Sequence, residues 1–274
     1  MLYKRIFIII VIFIFSFTSI SYSDDIEVKE FETWKDEIIQ TSNCSEEPKI
    51  NSRAGLIYDR KSKRVIWGKY ENEKRPMAST TKIMTAIVVI ENANLNDVVI
   101  VSKKSAGTGG SRLGLKSGDK ITVNDLLYGL LLVSGNDAAV ALAEYVGGSI
   151  QGFSDKMNAK AKELELEKTH FITPHGLDMQ EHYTTALELA KMTDYALDIK
   201  KFASIVNTKS ITISINGRSK TLNNTNELLG NLEGVNGVKT GFTNGANRCL
   251  VTSVNREGMN IITVVLGADT KKDR

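Results

Sequence analysis

Cysteine, histidine, net charge and long apolar runs are all in short supply in this sequence, and each shortage removes a class of protein. Two cysteines, Cys44 and Cys249, in 274 residues exclude a disulfide scaffold. A single bridge between them stays open, although Cys249 stands inside an apolar, strand-like run. The three histidines, His170, His175 and His182, do not have the H-E-x-x-H spacing of a zinc peptidase, and no G-x-S-x-G elbow accompanies them. They read as structural or turn residues, so no metal or cofactor is expected. The net charge is +3, and setting aside Lys4 and Arg5 near the N-terminus leaves +1. That near-balance gives no electrostatic reason for a nucleic-acid partner. No apolar run reaches the ~20 residues that a membrane-spanning helix needs. There is no internal repeat and no low-complexity tract.

The sequence opens on a targeting pattern. Lys4 and Arg5 precede an apolar stretch at 6–17, then a small, polar stretch at 18–23. Ser21-Tyr22-Ser23 before Asp24 fits a small-x-small cleavage site, so residues 1–23 are expected to be a signal peptide and the protein to be exported. A membrane anchor is the competing reading, and the shortness of the run argues against it. Residues 24–52 are charged and read as a spacer, in which Ile26, Val28, Phe31, Trp34, Ile38 and Ile39 could line a loose amphipathic helix.

Residues 53–274 read as one catalytic domain. Strands are expected at 54–58 and 64–68 around a polar turn. From 80 to 199 the signals are helical, at 82–90, 123–132, 137–146, 150–166 and 185–199, with the acidic stretch 163–167 as a solvated helix face. Strand signals return at 210–215, around Leu222 after the turn Asn216-Gly217, and at 235–242, 249–254 and 261–266. With strands at both ends and helices between, the simplest α/β (α+β) arrangement is one antiparallel sheet built from both ends, with an inserted helical lobe.

Three short motifs occur in order: Ser79-Thr80-Thr81-Lys82, Ser134-Gly135-Asn136 and Lys239-Thr240-Gly241. Each is weak alone, since Ser117-Gly118-Asp119-Lys120, Ser214-Ile215-Asn216, Ser253-Val254-Asn255 and Lys116-Ser117-Gly118 match the same patterns. Context separates them. Ser79 opens an apolar helix whose free N–H groups favour developing negative charge, and Lys82 lies one turn on, on the same face. Ser117 sits in a glycine-rich stretch with no helix after it, and Ser214 and Ser253 lead into turns. An isolated serine at a helix start would be a plain cap. Here the chemistry links the set. A serine hydroxyl needs a base, and lysine, with a pKa of ~10.4, serves only if burial and a second cation lower it. Lys239 is that cation if the fold brings it near, and it would also attract a substrate carboxylate. Ser134 can relay a proton, and Asn136 can bind a substrate amide and hold Lys82.

At these residues the sequence resembles the low-molecular-mass penicillin-binding proteins, the serine D-alanyl-D-alanine carboxypeptidases. The likeness runs over about 54–274. It is carried by residues 74–86 around Ser79, by 133–139, by Thr173-Pro174-His175-Gly176-Leu177-Asp178 and by Gly237-Val238-Lys239-Thr240-Gly241-Phe242-Thr243. The resemblance implies a β-lactamase/transpeptidase-like fold with the site between sheet and lobe. It implies Ser79 as the acylated nucleophile, Lys82 as its base and Ser134 and Asn136 as one wall. Lys239 and Thr240 would face the substrate, the N–H groups of Ser79 and Phe242 would form the oxyanion hole, and Arg274 would hold a terminal carboxylate. It implies peptidoglycan stem peptides as substrate, covalent inhibition by β-lactams, and work in the cell wall or at the outer face of the cytoplasmic membrane.

Two other functions on this fold are weighed. A class A β-lactamase adds a glutamate about 35 residues after S-x-N, where Thr169 and His170 stand. Glu227 to Asn231 has the E-x-x-x-N pattern but lies just before Lys239. A non-catalytic penicillin sensor or wall-binding protein would not need all these groups. Family members continue past the arginine into a helix that covers the sheet. This sequence ends at Arg274, as a fragment or as a version without that cover. The strand 261–266, apolar on both faces, is therefore expected to lack cover on one side and Arg274 to be mobile.

Overall fold

The computed structural model describes residues 47–274. The expected signal peptide, the spacer up to residue 46 and Cys44 lie outside the described residues, so the Cys44–Cys249 pairing is untouched; Cys249 itself is buried.

Strands β1 (Ala54–Asp59) and β2 (Arg64–Lys69) form the first hairpin. The last three strands, β7 (Val235–Thr243), β8 (Asn247–Arg256) and β9 (Met259–Ala268), pair with them in the order β2-β1-β9-β8-β7. All neighbours are antiparallel. The two chain ends meet where β1 pairs β9, from Ala54 opposite Leu266 to Asp59 opposite Ile261. That is the expected sheet built from both ends. Its turns have the expected chemistry: Glu257 and Gly258 both take positive φ (51° and 77°), the two-residue turn that suits the twist of a hairpin.

The expectation that β9 is uncovered on one face is overturned. Every residue from Ile261 to Ala268 is buried. One face, with Ile262, Val264 and Leu266, joins the main core. On the other, Ile261 clusters with Ile57, Trp67, Val254 and Val235 of the sheet and with Ile50 and Leu229 from outside it. Ile50 belongs to the segment read as spacer. It is held there because Lys69 donates to the carbonyls of Ile50 (2.9 Å) and Ser52 (2.8 Å). Burying each such aliphatic side chain contributes roughly 1.5–3 kcal/mol.

The inserted lobe is built on α1 (Lys82–Asn92), whose residues from Lys82 to Val89 are buried on every face. Around it lie α2 (Lys103–Ala106), α3 (Val123–Leu131), α4 (Asn136–Gly147), α5 (Ile150–Glu163), α6 (Ala186–Asp198) and α7 (Lys200–Val206). Side-chain caps from Thr122, Ser149 and Thr185 open α3, α5 and α6, each contributing about 1 kcal/mol. The lobe is not purely helical: β3 (Val98–Ile100) and β4 (Lys120–Thr122) form a short ribbon. A hairpin of β5 (Ser210–Ile215) and β6 (Arg218–Asn223) docks on it through Asn216 N–H to the Lys120 carbonyl (3.0 Å). Of the acidic stretch 163–167, Glu163 ends α5 as an exposed helix residue and the rest turns away from the helix, with Glu165 at φ +55°; the three acids are solvated as expected, while Leu166 is buried and Leu164 packs partly against the core. Among the described residues no helix is long and apolar enough to cross a membrane.

Candidate active site

Ser79 sits in a single 3-10 turn, Ala78–Thr81, that runs straight into α1. The preceding Ala78 has φ +47°, a left-handed conformation that costs a non-glycine residue on the order of 1 kcal/mol and needs support from its surroundings. That support is visible. Gly176 of the 173–178 segment packs so closely that a side-chain carbon there would stand 1.9 Å from the Ala78 carbonyl oxygen. Thr81 donates its hydroxyl to the same oxygen (2.8 Å). Thr81 Oγ1 lies 2.8 Å from His182 Nε2, and His182 Nδ1 accepts the Ile172 N–H (2.9 Å). The Ile172 N–H fixes the tautomer, because a nitrogen that accepts carries no proton. His182 is thus neutral with Nε2–H aimed at Thr81. Burial, more than neighbouring charge, pushes its pKa down to about 4.

Lys82 is fully buried, and its Nζ has three neighbours: Ser79 Oγ at 2.8 Å, Asn136 Oδ1 at 2.7 Å and the His175 carbonyl at 2.8 Å. Asn136 presents its oxygen because its Nδ2 donates to the Gly109 carbonyl (2.7 Å). Desolvation first, and the charge of Lys239 second, lower the Lys82 pKa well below that of a free lysine; Asp137 opposes them. Two of its three neighbours are carbonyl oxygens that only accept. A neutral amine keeps two N–H groups for them, and its lone pair is left for Ser79. The arrangement therefore presents a base to the serine hydroxyl.

The second motif lies at the start of α4. Ser134 has φ +59°, and its buried hydroxyl has no partner within the described protein. An unmade buried hydrogen bond costs about 1–3 kcal/mol. Asp137 was not singled out from sequence, yet its buried carboxylate takes the N–H groups of Leu113 (2.8 Å), Gly114 (2.7 Å) and Leu115 (3.0 Å). It fastens that loop to the start of α4, beside Asn136.

The third motif lies on β7, the outermost strand. Lys239 is 1% exposed and donates to the Thr240 carbonyl (2.9 Å). Burial and then the charge of Arg274 lower its pKa to about 7. Thr240 Oγ1 meets Thr225 Oγ1 at 3.2 Å. Gly241 lies against the serine turn: a side-chain carbon there would be 3.0 Å from the Ser79 nitrogen. Phe242, by contrast, is exposed and carries the Arg248 guanidinium over its ring at 5.0 Å. Asp178 ties the 173–178 segment to the end of β7, accepting from Thr243 Oγ1 (2.6 Å) and the Gly245 N–H (2.9 Å).

The fold therefore gathers Ser79, Lys82, Asn136 and Lys239, with Arg274 close enough for its charge to act on Lys239. The rival motifs stay apart: Ser117 is exposed in a turn, and Ser214 and Ser253 are strand residues. Sequence reasoning gave no role to the His175 carbonyl or to the Thr81–His182 contact. The segment 173–178 was marked by resemblance, and this anchoring accounts for it. Among the described residues no three His, Cys, Asp or Glu side chains are grouped to hold a metal.

Residues 41–270 match the family model described as D-alanyl-D-alanine carboxypeptidase. The chain is 38% identical over 229 residues to the D-alanyl-D-alanine carboxypeptidase DacF of Bacillus subtilis, covering 81% of this chain and 59% of that one. It is 37% identical to DacC of Escherichia coli, covering 84% of this chain and 60% of that one. It thus spans about three-fifths of the length of these two relatives. Among solved structures, a Streptomyces DD-transpeptidase superposes with a TM-score of 0.80 at 35% identity, covering 84% of this chain and 94% of that one. The close structural likeness and the extent of the family match lead to one conclusion: the chain belongs to the D-alanyl-D-alanine carboxypeptidase family.

Proposed function

We propose that the protein is an exported serine carboxypeptidase that removes the terminal D-alanine from peptidoglycan stem peptides. The observation that carries this reading is the setting of the Lys82 amine, in which two acceptor-only carbonyls leave the neutral amine's lone pair to Ser79. Ser79 Oγ attacks the carbonyl of the penultimate D-alanine as its proton passes to Lys82. The N–H groups of Ser79 and Phe242 hold the developing oxyanion, each such donor contributing about 3 kcal/mol in the transition state. The C–N bond then breaks, and the departing amine takes up a proton relayed through Ser134. The ester on Ser79 is hydrolysed by water, returning the enzyme. Lys239, Thr240 and Arg274 bind the terminal carboxylate, which favours a free C-terminus. β-Lactams enter the same acylation and stop at the ester.

The β-lactamase reading lacks its deacylating carboxylate: Thr169, where the glutamate would stand, gives its hydroxyl to buried Glu188 (2.5 Å). The deciding experiment is intact-mass analysis after incubation with a penicillin, together with D-alanine release from a peptide ending in D-Ala-D-Ala. One adduct and measurable release are expected in wild type, and neither in Ser79→Ala. An adduct that persists in Ser79→Ala, or maps to Ser117, would overturn the assignment.

A further inference from the structure

The direction in which a substrate lies along β7 follows from three points on that strand, granted the carboxypeptidase reading above, on which this inference rests. Lys239 and Thr240 take the terminal carboxylate, and Gly241 abuts the Ser79 nitrogen. The peptide on the N-terminal side of the cleaved bond must then pass Phe242 and Thr243. Among the described residues β7 has a strand partner on one side only, so an extended peptide can lie along its open edge as an added strand. At that end the charged groups are unequally occupied. Asp178 is taken up by Thr243 and Gly245. Asp269 is taken up by Asn247 (2.8 Å) and Arg53 (3.7 Å). Arg248, paired across the strands with Phe242, lies over its ring and has no carboxylate partner among the described residues; its Nε is buried without any hydrogen bond. Phe242 is 54% exposed, an uncommon state for a phenylalanine.

An aromatic plate that orients an unpaired guanidinium is a receptor for an anion: stacking leaves the planar N–H edge free for a carboxylate. The geometry points to Arg248 and Phe242 as the specificity determinant for the residue preceding the two D-alanines. The class of substrate it selects is a stem peptide whose third residue carries a side-chain carboxylate, a diamino dicarboxylic acid, in preference to one carrying lysine. Lysine would place an ammonium near Arg248, with no unoccupied carboxylate among the groups named here to receive it.

The test uses the full chain and three peptides ending in D-Ala-D-Ala that differ only at the third residue: the diamino dicarboxylic acid, its side-chain carboxamide, and lysine. In wild type, kcat/KM for the free carboxylate is expected to exceed both others about tenfold, the scale of one charge-assisted hydrogen bond. In Arg248→Gln that ratio is expected to fall toward one. Equal kcat/KM for all three peptides in wild type overturns the inference without any variant, as does an unchanged ratio in a folded Arg248→Gln protein. Failure to release D-alanine from any of the three, with no penicillin adduct on Ser79, overturns instead the carboxypeptidase reading beneath it.

Discussion

Replacing Asn136 by Asp changes few atoms and should disable the base. In the native site Asn136 Oδ1 is 2.7 Å from Lys82 Nζ, and Nδ2 is tied to the Gly109 carbonyl. Aspartate keeps the shape but brings a negative charge to Lys82 and turns a second acceptor toward Gly109. At that separation, with an effective dielectric near 20, the bare attraction is ~6 kcal/mol. Desolvating the new carboxylate opposes it, and a neighbouring opposite charge typically shifts a pKa by a net 1–3 units. The sign is upward for Lys82, because the pair favours its charged form. Whichever partner holds the proton, it stays between them and the lone pair that faced Ser79 is lost. On the proposed mechanism acylation requires the neutral amine, so on the acid limb, where the amine is mostly protonated, the second-order rate with a fluorescent penicillin should fall by about 10- to 1000-fold. The acid limb of the pH–rate profile should move to higher pH by the same 1–3 units, and the rate should recover in alkali. A folded Asn136→Asp protein whose acid limb lies at or below that of wild type would refute the assignment of Lys82 as the base.

Two further outcomes follow from the contacts around Ala78. Gly176→Ala places a carbon 1.9 Å from the Ala78 carbonyl at φ +83°, and should cost more than about 3 kcal/mol, lowering Tm by roughly 6–12 °C in a thermal melt; an unchanged Tm would show that the segment is not held against the serine turn. His182 has its folded pKa depressed to about 4 from an ordinary 6.5, so between those values the unfolded chain binds the extra proton. Its contribution is full above pH 6.5 and is lost as pH falls toward 4, by roughly 3 kcal/mol. The fall in stability over that window, followed by denaturant unfolding, should be shallower in His182→Gln, and an identical slope would remove His182 from the account.

The sheet and the β5–β6 hairpin were legible because their strands are long and their turns carry Glu-Gly and Asn-Gly pairs, so that residues 247–268 and 210–223 punctuate themselves. The strand pairing of chain ends followed from the order of elements alone. β3 and β4 were not legible: three residues are too few to show alternation, and Val99 and Ile121 are buried only because the two segments meet. The α7 helix was hidden behind Ile199, which caps it without any side-chain signal. The cover over β9 could not be read either, since Ile50 and Leu229 lie far apart in the sequence and join one cluster only in three dimensions. In the site, Ser79 and Lys82 were readable because one helical turn joins them. The His175 carbonyl was not, because a backbone oxygen leaves no mark in a side-chain pattern.

The division of the site between two layers carries a consequence for how the base is made. In an unfolded chain Lys82 would have the ordinary pKa of ~10.4 and be almost wholly protonated at neutral pH. Its lowering comes from burial in the lobe and from the charge of Lys239 on the sheet. Lys239 is itself held in an unfavourable place, with a pKa near 7. Two lysines without carboxylate partners in direct contact among the described residues are a cost to folding, because each would be better solvated outside. The apolar core around α1 and both faces of the sheet offset it. On the proposed mechanism the serine is competent only when lobe and sheet are closed on one another, since separating them would rehydrate Lys82, remove the neighbouring cation and return the proton to the amine. On that mechanism, reactivity at Ser79 is in this sense a property of the packed interface rather than of the Ser79–Lys82 turn; Asp178, tethered across it to Thr243 and Gly245, and Gly176, packed within the lobe against Ala78, act on the base without touching it.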